Sequence, residues 1–139
     1  MSDIKFEDYS MEVKTAIANR IDAVLEECAG ELESQTKRNS RVDTGKTKSS
    51  FQHKVIGSVL AEKYEAHIGS SDENAIWEEF GTGEYALHGD GRKGGWSYED
   101  ERGDWHRTKG KPPSRAFYHA YTSMKSKIIN RIQNSLKGL

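Results

Sequence analysis

Three sets of residues in this 139-residue chain have types and spacings that suggest chemistry. Gly45-Lys46-Thr47 ends as a phosphate-binding loop ends. The full pattern needs a glycine five positions before Gly45, where Ser40 stands, and it needs a strand before the loop and a helix after it. Here the order is reversed, which argues against a nucleotide site. The second set is His88 with Asp90 and Asp104 with His106, which would furnish a hydrolytic metal site, as in a small metal-dependent nuclease, if their loops met. No regular element positions a third ligand. None of the five histidines (His53, His67, His88, His106, His119) has the helical spacing of a metalloprotease pair. Neither a metal nor another cofactor is therefore expected. The third set could meet nucleic acid. Lys37, Arg38, Arg41, Lys46, Lys48 and Lys54 form a basic run interrupted only by Asp43, and Trp96, Tyr98 and Trp105 could stack on bases. Asp100, Glu101 and Asp104 lie among those aromatics and repel a phosphate backbone. What remains is non-specific contact with DNA passing nearby, with Lys37, Arg38, Arg41, Lys46 and Lys48 as candidates for that or for a protein partner. Glu78 and Glu79 are adjacent, so they cannot share a face as a catalytic pair without a bend. No catalytic residue is expected.

The elements that must position these residues follow from hydrophobic spacing. Val13, Ile17, Ile21, Val24, Cys28 and Leu32 recur at steps of three and four, predicting a helix from Ser10 to Gln35. Thr36 to Ser50 is polar and basic and reads as a loop. Phe51, His53, Val55 and Gly57 alternate with polar residues, as do Tyr64, Ala66 and Ile68, predicting an antiparallel hairpin. Ala75 to Phe80 reads as a short helix or helical turn. Gly81 to Gly95 carries glycines at 81, 83, 89, 91, 94 and 95, which predicts a long flexible loop. Trp96 and Tyr98 face Trp105 and Arg107 across a turn, predicting a second hairpin with aromatic cross-strand pairs. Pro112 and Pro113 end it. Ser114 is the expected cap of a last helix with the stripe Phe117, Ala120, Tyr121, Met124, Ile128, Ile132 and Leu136, and Gly138 suits its end. The fold class is α+β: a long N-terminal helix and a C-terminal helix packed on a small antiparallel sheet, with a projecting glycine-rich loop and β-hairpin. The whole of 1–139 forms one domain, and 84–111 is the projecting arm.

Composition narrows the function. The hydrophobic fraction is 34%, the charged fraction 31% and the net charge −1, which describes a polar globule with no global pull toward nucleic acid. Charge is segregated, with nine acids against three bases from Asp3 to Glu33 and no acid among the last fifteen residues. An acidic face and basic segments on one domain suit head-to-tail contact between copies. The lone Cys28 excludes an internal disulfide and fits a reducing compartment; on the helical stripe it reads as a core side chain. No stretch is long and apolar enough to span a bilayer, and Met1 to Tyr9 has no signal-peptide core, so a soluble protein without a membrane partner is expected.

Four ordered motifs between residues 42 and 120 resemble one family. They are Val42-Asp43-Thr44-Gly45 with Ser49-Ser50-Phe51, Ala75-Ile76-Trp77-Glu78-Glu79-Phe80-Gly81-Thr82-Gly83, Gly95-Trp96-Ser97-Tyr98 through Gly103-Asp104-Trp105-His106 to Gly110, and Pro112-Pro113-Ser114-Arg115-Ala116-Phe117 with Ala120. Together they resemble the HK-ninety-seven gene-product-ten-like family of siphophage tail-completion and head–tail joining (neck) proteins. Ala116 stands where that family has a proline and Tyr118 where it has a leucine. The resemblance implies a structural virion protein, with no enzymatic activity, forming a ring at the head–tail interface. Six copies are expected from the family and from tail symmetry. It implies other neck and tail-tube proteins as partners, and a place in the virion after assembly in host cytoplasm. Read with the motifs, Phe80 anchors in the core while Glu78 and Glu79 face out. Glu78, Glu79, Phe80, Trp96, Tyr98, Trp105 and His106 are the expected interface residues, on an arm whose exposed aromatics need a neighbour to cover them.

Overall fold

The computed structural model describes residues 9–41, 45–58 and 62–137. The residues before Tyr9, Val42-Asp43-Thr44 of the first motif, residues 59–61, and Gly138 with Leu139 lie outside the described residues. The chain is α+β. In order it forms α1 (Ser10–Asn39), α2 (Lys46–Ser49), β1 (Phe51–Ser58), β2 (Lys63–Ser70), α3 (Ala75–Phe80), a 3₁₀ turn (Gly83–Tyr85), β3 (Trp96–Glu99), β4 (Trp105–Thr108) and α4 (Ala116–Leu136).

The long helix α1 organises the rest, because its apolar stripe is wide enough to be covered from two sides. The β1–β2 hairpin packs on it, and so does α4. The buried core is small and consists mostly of α1 side chains, namely Ala18, Val24, Cys28, Ala29 and Leu32, with Ala116 and Ala120 of α4. Ala residues at the contact let the helix axes approach closely. Arg20 in the first half of α1 donates to the Ser135 carbonyl near the end of α4, and Asn39 at the end of α1 donates to the Ala116 carbonyl at the start of α4. The two helices are therefore antiparallel. Arg131 of α4 reaches Glu31 at 2.7 Å and Glu27 at 3.3 Å on α1, closing one edge of the contact over Cys28.

The first helix outruns its expected end. Thr36 is fully buried inside it, and its hydroxyl donates to the Leu32 carbonyl at 2.8 Å, so the residue that reads as a loop former is satisfied within the helix. Ser40 closes the end by donating to the Thr36 carbonyl. The N-terminal part of the stripe is not covered: Val13 is 55% exposed. The region expected as one loop thus contains four further helical residues of α1 and the single-turn α2.

The first hairpin pairs Phe51 with Ser70, His53 with Ile68, Val55 with Ala66 and Gly57 with Tyr64. Alternation places Phe51, His53 and Val55 on the partly buried face. His53 fits against α1 at Gly30, where its ring lies 3.6 Å from the position a Cβ would take. Its Nε2 is 2.5 Å from Glu26 and its Nδ1 3.5 Å from Glu33, both on α1. Those carboxylates, Glu26 foremost through its hydrogen bond, raise the imidazole pKa above its ordinary value. The two hairpins form separate two-stranded sheets. Among the described residues no helix is long and apolar enough to cross a membrane.

Candidate subunit interface: the glycine platform and the aromatic arm

The segment after α3 is expected to be flexible, and it is instead packed backbone against backbone. Thr82 N–H donates to the Lys111 carbonyl and Glu84 N–H to the Lys109 carbonyl, each at 2.9 Å, while Lys111 N–H donates to the Thr82 hydroxyl. Leu87 N–H returns to the Phe80 carbonyl at 2.8 Å. Residues 82–84 and 109–111 therefore meet as a short ladder that joins the loop to the stem of the second hairpin. The glycines make this possible. A Cβ on Gly83 would lie 2.1 Å from the Lys109 carbonyl oxygen, and one on Gly110 would lie 2.1 Å from the Thr82 carbonyl oxygen. Glycine here encodes close approach, not mobility.

Glu78 and Glu79 hold this platform to the helices. Their side chains are each 16% exposed, whereas Phe80 is 40% exposed with its ring against His88. The expected orientation is thus reversed, for an electrostatic reason. Glu78 forms an ion pair with Lys111, lies 3.9 Å from Arg41, and its backbone carbonyl accepts Ser114 N–H at 2.7 Å. The Glu79 carboxylate accepts the N–H groups of Phe117 at 3.1 Å and Tyr118 at 3.0 Å. These are unsatisfied donors of the first turn of α4, at the positive end of the helix dipole. Ser114, expected to cap α4, does not do so. The residue before the helix is Arg115, in the left-handed region at φ 55°, and it has no side-chain cap of its own. Its guanidinium lies 3.9 Å from the centre of the Tyr118 ring and 4.0 Å from Glu79. A carboxylate from α3 replaces the local cap.

The second hairpin stands on the platform. Its register pairs Trp96 with Thr108, Tyr98 with His106 and Glu99 with Trp105. The expected tryptophan–tyrosine pairing across the strands is therefore corrected: period-two alternation puts Trp105 on the opposite face from Trp96 and Tyr98. The cross-strand ring pair is Tyr98 with His106, at 5.3 Å. Asp100 shapes the tip. Its Oδ1 accepts the N–H groups of Arg102 and Asp104, both at 2.9 Å, and its Oδ2 lies 2.7 Å from His106 Nε2. The His106 hydrogen bond, with the backbone donors behind it, lowers the Asp100 pKa. The tip is ordered from within and presents Trp105 at 70% exposure, more than any other large apolar residue of the described core and surface. At the base, Trp96 is half-buried with the Arg92 guanidinium 5.7 Å above its ring. A cleft of about 560 Å³ opens beside it, lined by Trp77, Trp96, Gly83, Gly91, Arg92 and Lys111 among others.

The other candidate sets are not assembled as chemistry requires. His106 is held by Asp100 and His88 lies against Phe80; among the described residues no group of three or more His, Cys, Asp or Glu comes together to hold a metal. In the phosphate-loop-like turn, Gly45 precedes a helix of four residues, and the Thr47 hydroxyl donates to Asp72 at 2.6 Å. Of the basic run, Lys37 pairs with Glu33 at 3.8 Å, Arg38 donates to Gln35, and Arg41 leans on Glu78. Lys46 and Lys48 lie on α2. Asp100 and Lys111 organise the site and Asp72 holds α2; by residue type Asp100 reads only as an acid that repels a phosphate backbone, and Asp72 and Lys111 carry no expected role. The signal for Asp72 and Asp100 is an aspartate two residues before a backbone donor at a turn. Compared with known proteins, the chain matches no family model, no curated protein and no solved structure.

Proposed function

We propose that this chain is a structural subunit of the head–tail neck of a long-tailed bacteriophage, one copy in a ring, probing no substrate and holding no cofactor. The resemblance of four ordered motifs to the neck family supplies the role. The observation that carries the reading is the arm: a hairpin ordered by its own Asp100 that holds Trp105 in solvent. A large aromatic side chain kept rigid and exposed is costly for a lone monomer and favourable at an interface. Head-to-tail contacts of this kind close into a ring when the rotation between copies allows it. Each contact would bury about 800 Å² per partner. Six copies, other neck and tail-tube proteins as neighbours, and a channel touched by Lys46 and Lys48 complete the proposal.

The test is direct. The purified chain is examined by sedimentation and electron microscopy, alone and with tail-tube proteins, for closed rings with an axial channel. Metal-dependent cleavage of DNA by the same preparation, lost in His106→Ala, would overturn the structural role in favour of a nuclease.

A further inference from the structure

We infer that Trp105 of one copy seats in the cleft between Trp77 and Trp96 of the next copy, with Asp104 and Glu101 of the incoming tip facing Arg92. The inference rests on the ring reading and specifies its contact. The knob and the hole lie on the same arm, yet they cannot meet within one chain. Trp105 sits opposite Glu99, three residues along the strand from Trp96, which is roughly 10 Å at the rise of a β-strand. It also points to the other face of the hairpin from Trp96. An exposed knob and an open hole that cannot satisfy each other intramolecularly make a heterologous interface, the kind that propagates around a ring.

Size and charge agree. The cleft of about 560 Å³ is large enough for an indole, and it offers two tryptophan rings and a floor of glycine backbone; its charged lining is mixed, Lys111 being paired with Glu78 while Asp90 and Arg92 stand beside each other at the rim. Trp77 is itself exposed there. The tip carries Glu99, Glu101 and Asp104 around Trp105, and among the described residues Glu101 and Asp104 have no ion-pair partner. At the cleft, Arg92 is exposed, stacks on Trp96 and likewise has no carboxylate partner among the described residues. Lys93 adjoins it. By contrast Lys37 and Arg41 of the basic run already face Glu33 and Glu78, which leaves them less to offer an acidic tip.

The experiment uses the full chain and its variants Trp105→Ala, Arg92→Glu, Asp104→Arg and the double variant R92E/D104R. Self-association is measured by sedimentation from micromolar to millimolar concentration, and circular dichroism checks the fold of each variant. Trp105→Ala is expected to weaken association roughly thirtyfold, as for a central aromatic anchor. Each single charge reversal weakens it about tenfold, and the double variant recovers most of the loss because the pair is restored with opposite sign. Association that is unchanged in Trp105→Ala and in Arg92→Glu overturns the docking and leaves the ring reading standing. A wild-type chain that stays monomeric throughout overturns the docking between free copies, while the ring reading falls only if no ring forms with tail-tube proteins either.

Discussion

Replacing Glu79 tests whether a carboxylate borrowed from α3 holds the start of α4. Glu79 accepts two backbone N–H groups of the first turn, from Phe117 and Tyr118, and is largely shielded from water. Loss of a helix cap costs about 0.5–2 kcal/mol, and the carboxylate's interaction with the helix dipole adds about 0.3–1 kcal/mol. Water can reach the Tyr118 N–H once the carboxylate is gone, since Tyr118 is exposed, but the Phe117 N–H is half-buried and remains poorly served. Glu79→Ala is therefore expected to cost about 2 kcal/mol. Glu79→Gln, which keeps one acceptor and loses the charge, is expected to cost about 1 kcal/mol. The assay is urea unfolding followed by circular dichroism, with Glu101→Ala as the control acid, which has no ion-pair partner among the described residues and should shift stability by less than about 0.5 kcal/mol. For a chain of this length the alanine variant should also lower Tm by about 8 °C. If Glu79→Ala matches the control, the capping argument is wrong, and the orientation of α3 against α4 must be set by packing alone.

Other consequences can be checked with the same preparations. Gly83→Ala puts a methyl group 2.1 Å from the Lys109 oxygen at φ 61° and should cost about 2–5 kcal/mol, combining left-handed strain with overpacking. Gly89→Ala, at φ 71° with open space around it, should cost only the strain, about 1–2 kcal/mol; equal losses in denaturant unfolding would refute close packing at Gly83. The His53 pKa is raised in the folded chain, so its contribution is fully present below the ordinary histidine value, while Glu26 is ionised, and fades as pH rises through the raised folded value. Wild type should accordingly lose stability against His53→Gln between near-neutral and alkaline pH, and parallel pH curves for the two would contradict this. Burial raises the Cys28 thiol pKa, so a thiol reagent should leave the native chain unlabelled near neutral pH and label it once unfolded. Rapid native labelling would show that the α1–α4 contact opens.

Elements with a strong local period were legible in the residues. The stripe through Val24, Cys28 and Leu32 specifies α1, and the alternation Phe51, His53, Val55 specifies β1, because side-chain burial repeats with the geometry of each element. The last helix and the second hairpin follow the same rule. Boundaries were less legible. Thr36 looks like a loop former by type, and only the burial supplied by its neighbours keeps it helical. Trp96, Tyr98 and Trp105 look like one aromatic cluster until register divides them between two faces.

The glycine segment and the acidic pair show where local reading stops. Glycine permits both mobility and close packing, and the backbone that fills the space over Gly83 lies more than twenty residues away at Lys109, just past β4. Glu78 and Glu79 carry charge, which by residue type belongs in water. Lys111 and the first turn of α4 bring them inside by offering opposite charge and unsatisfied N–H groups. The amino-acid sequence by itself determined the α+β class, the two amphipathic helices, the two hairpins and the motifs that resemble a neck protein, since each depends on residues near one another in the chain. Only the tertiary structure decided which acids cap and clamp, that the glycine loop is a platform, and that Trp105 projects from it, since each depends on groups that meet only after the chain has folded.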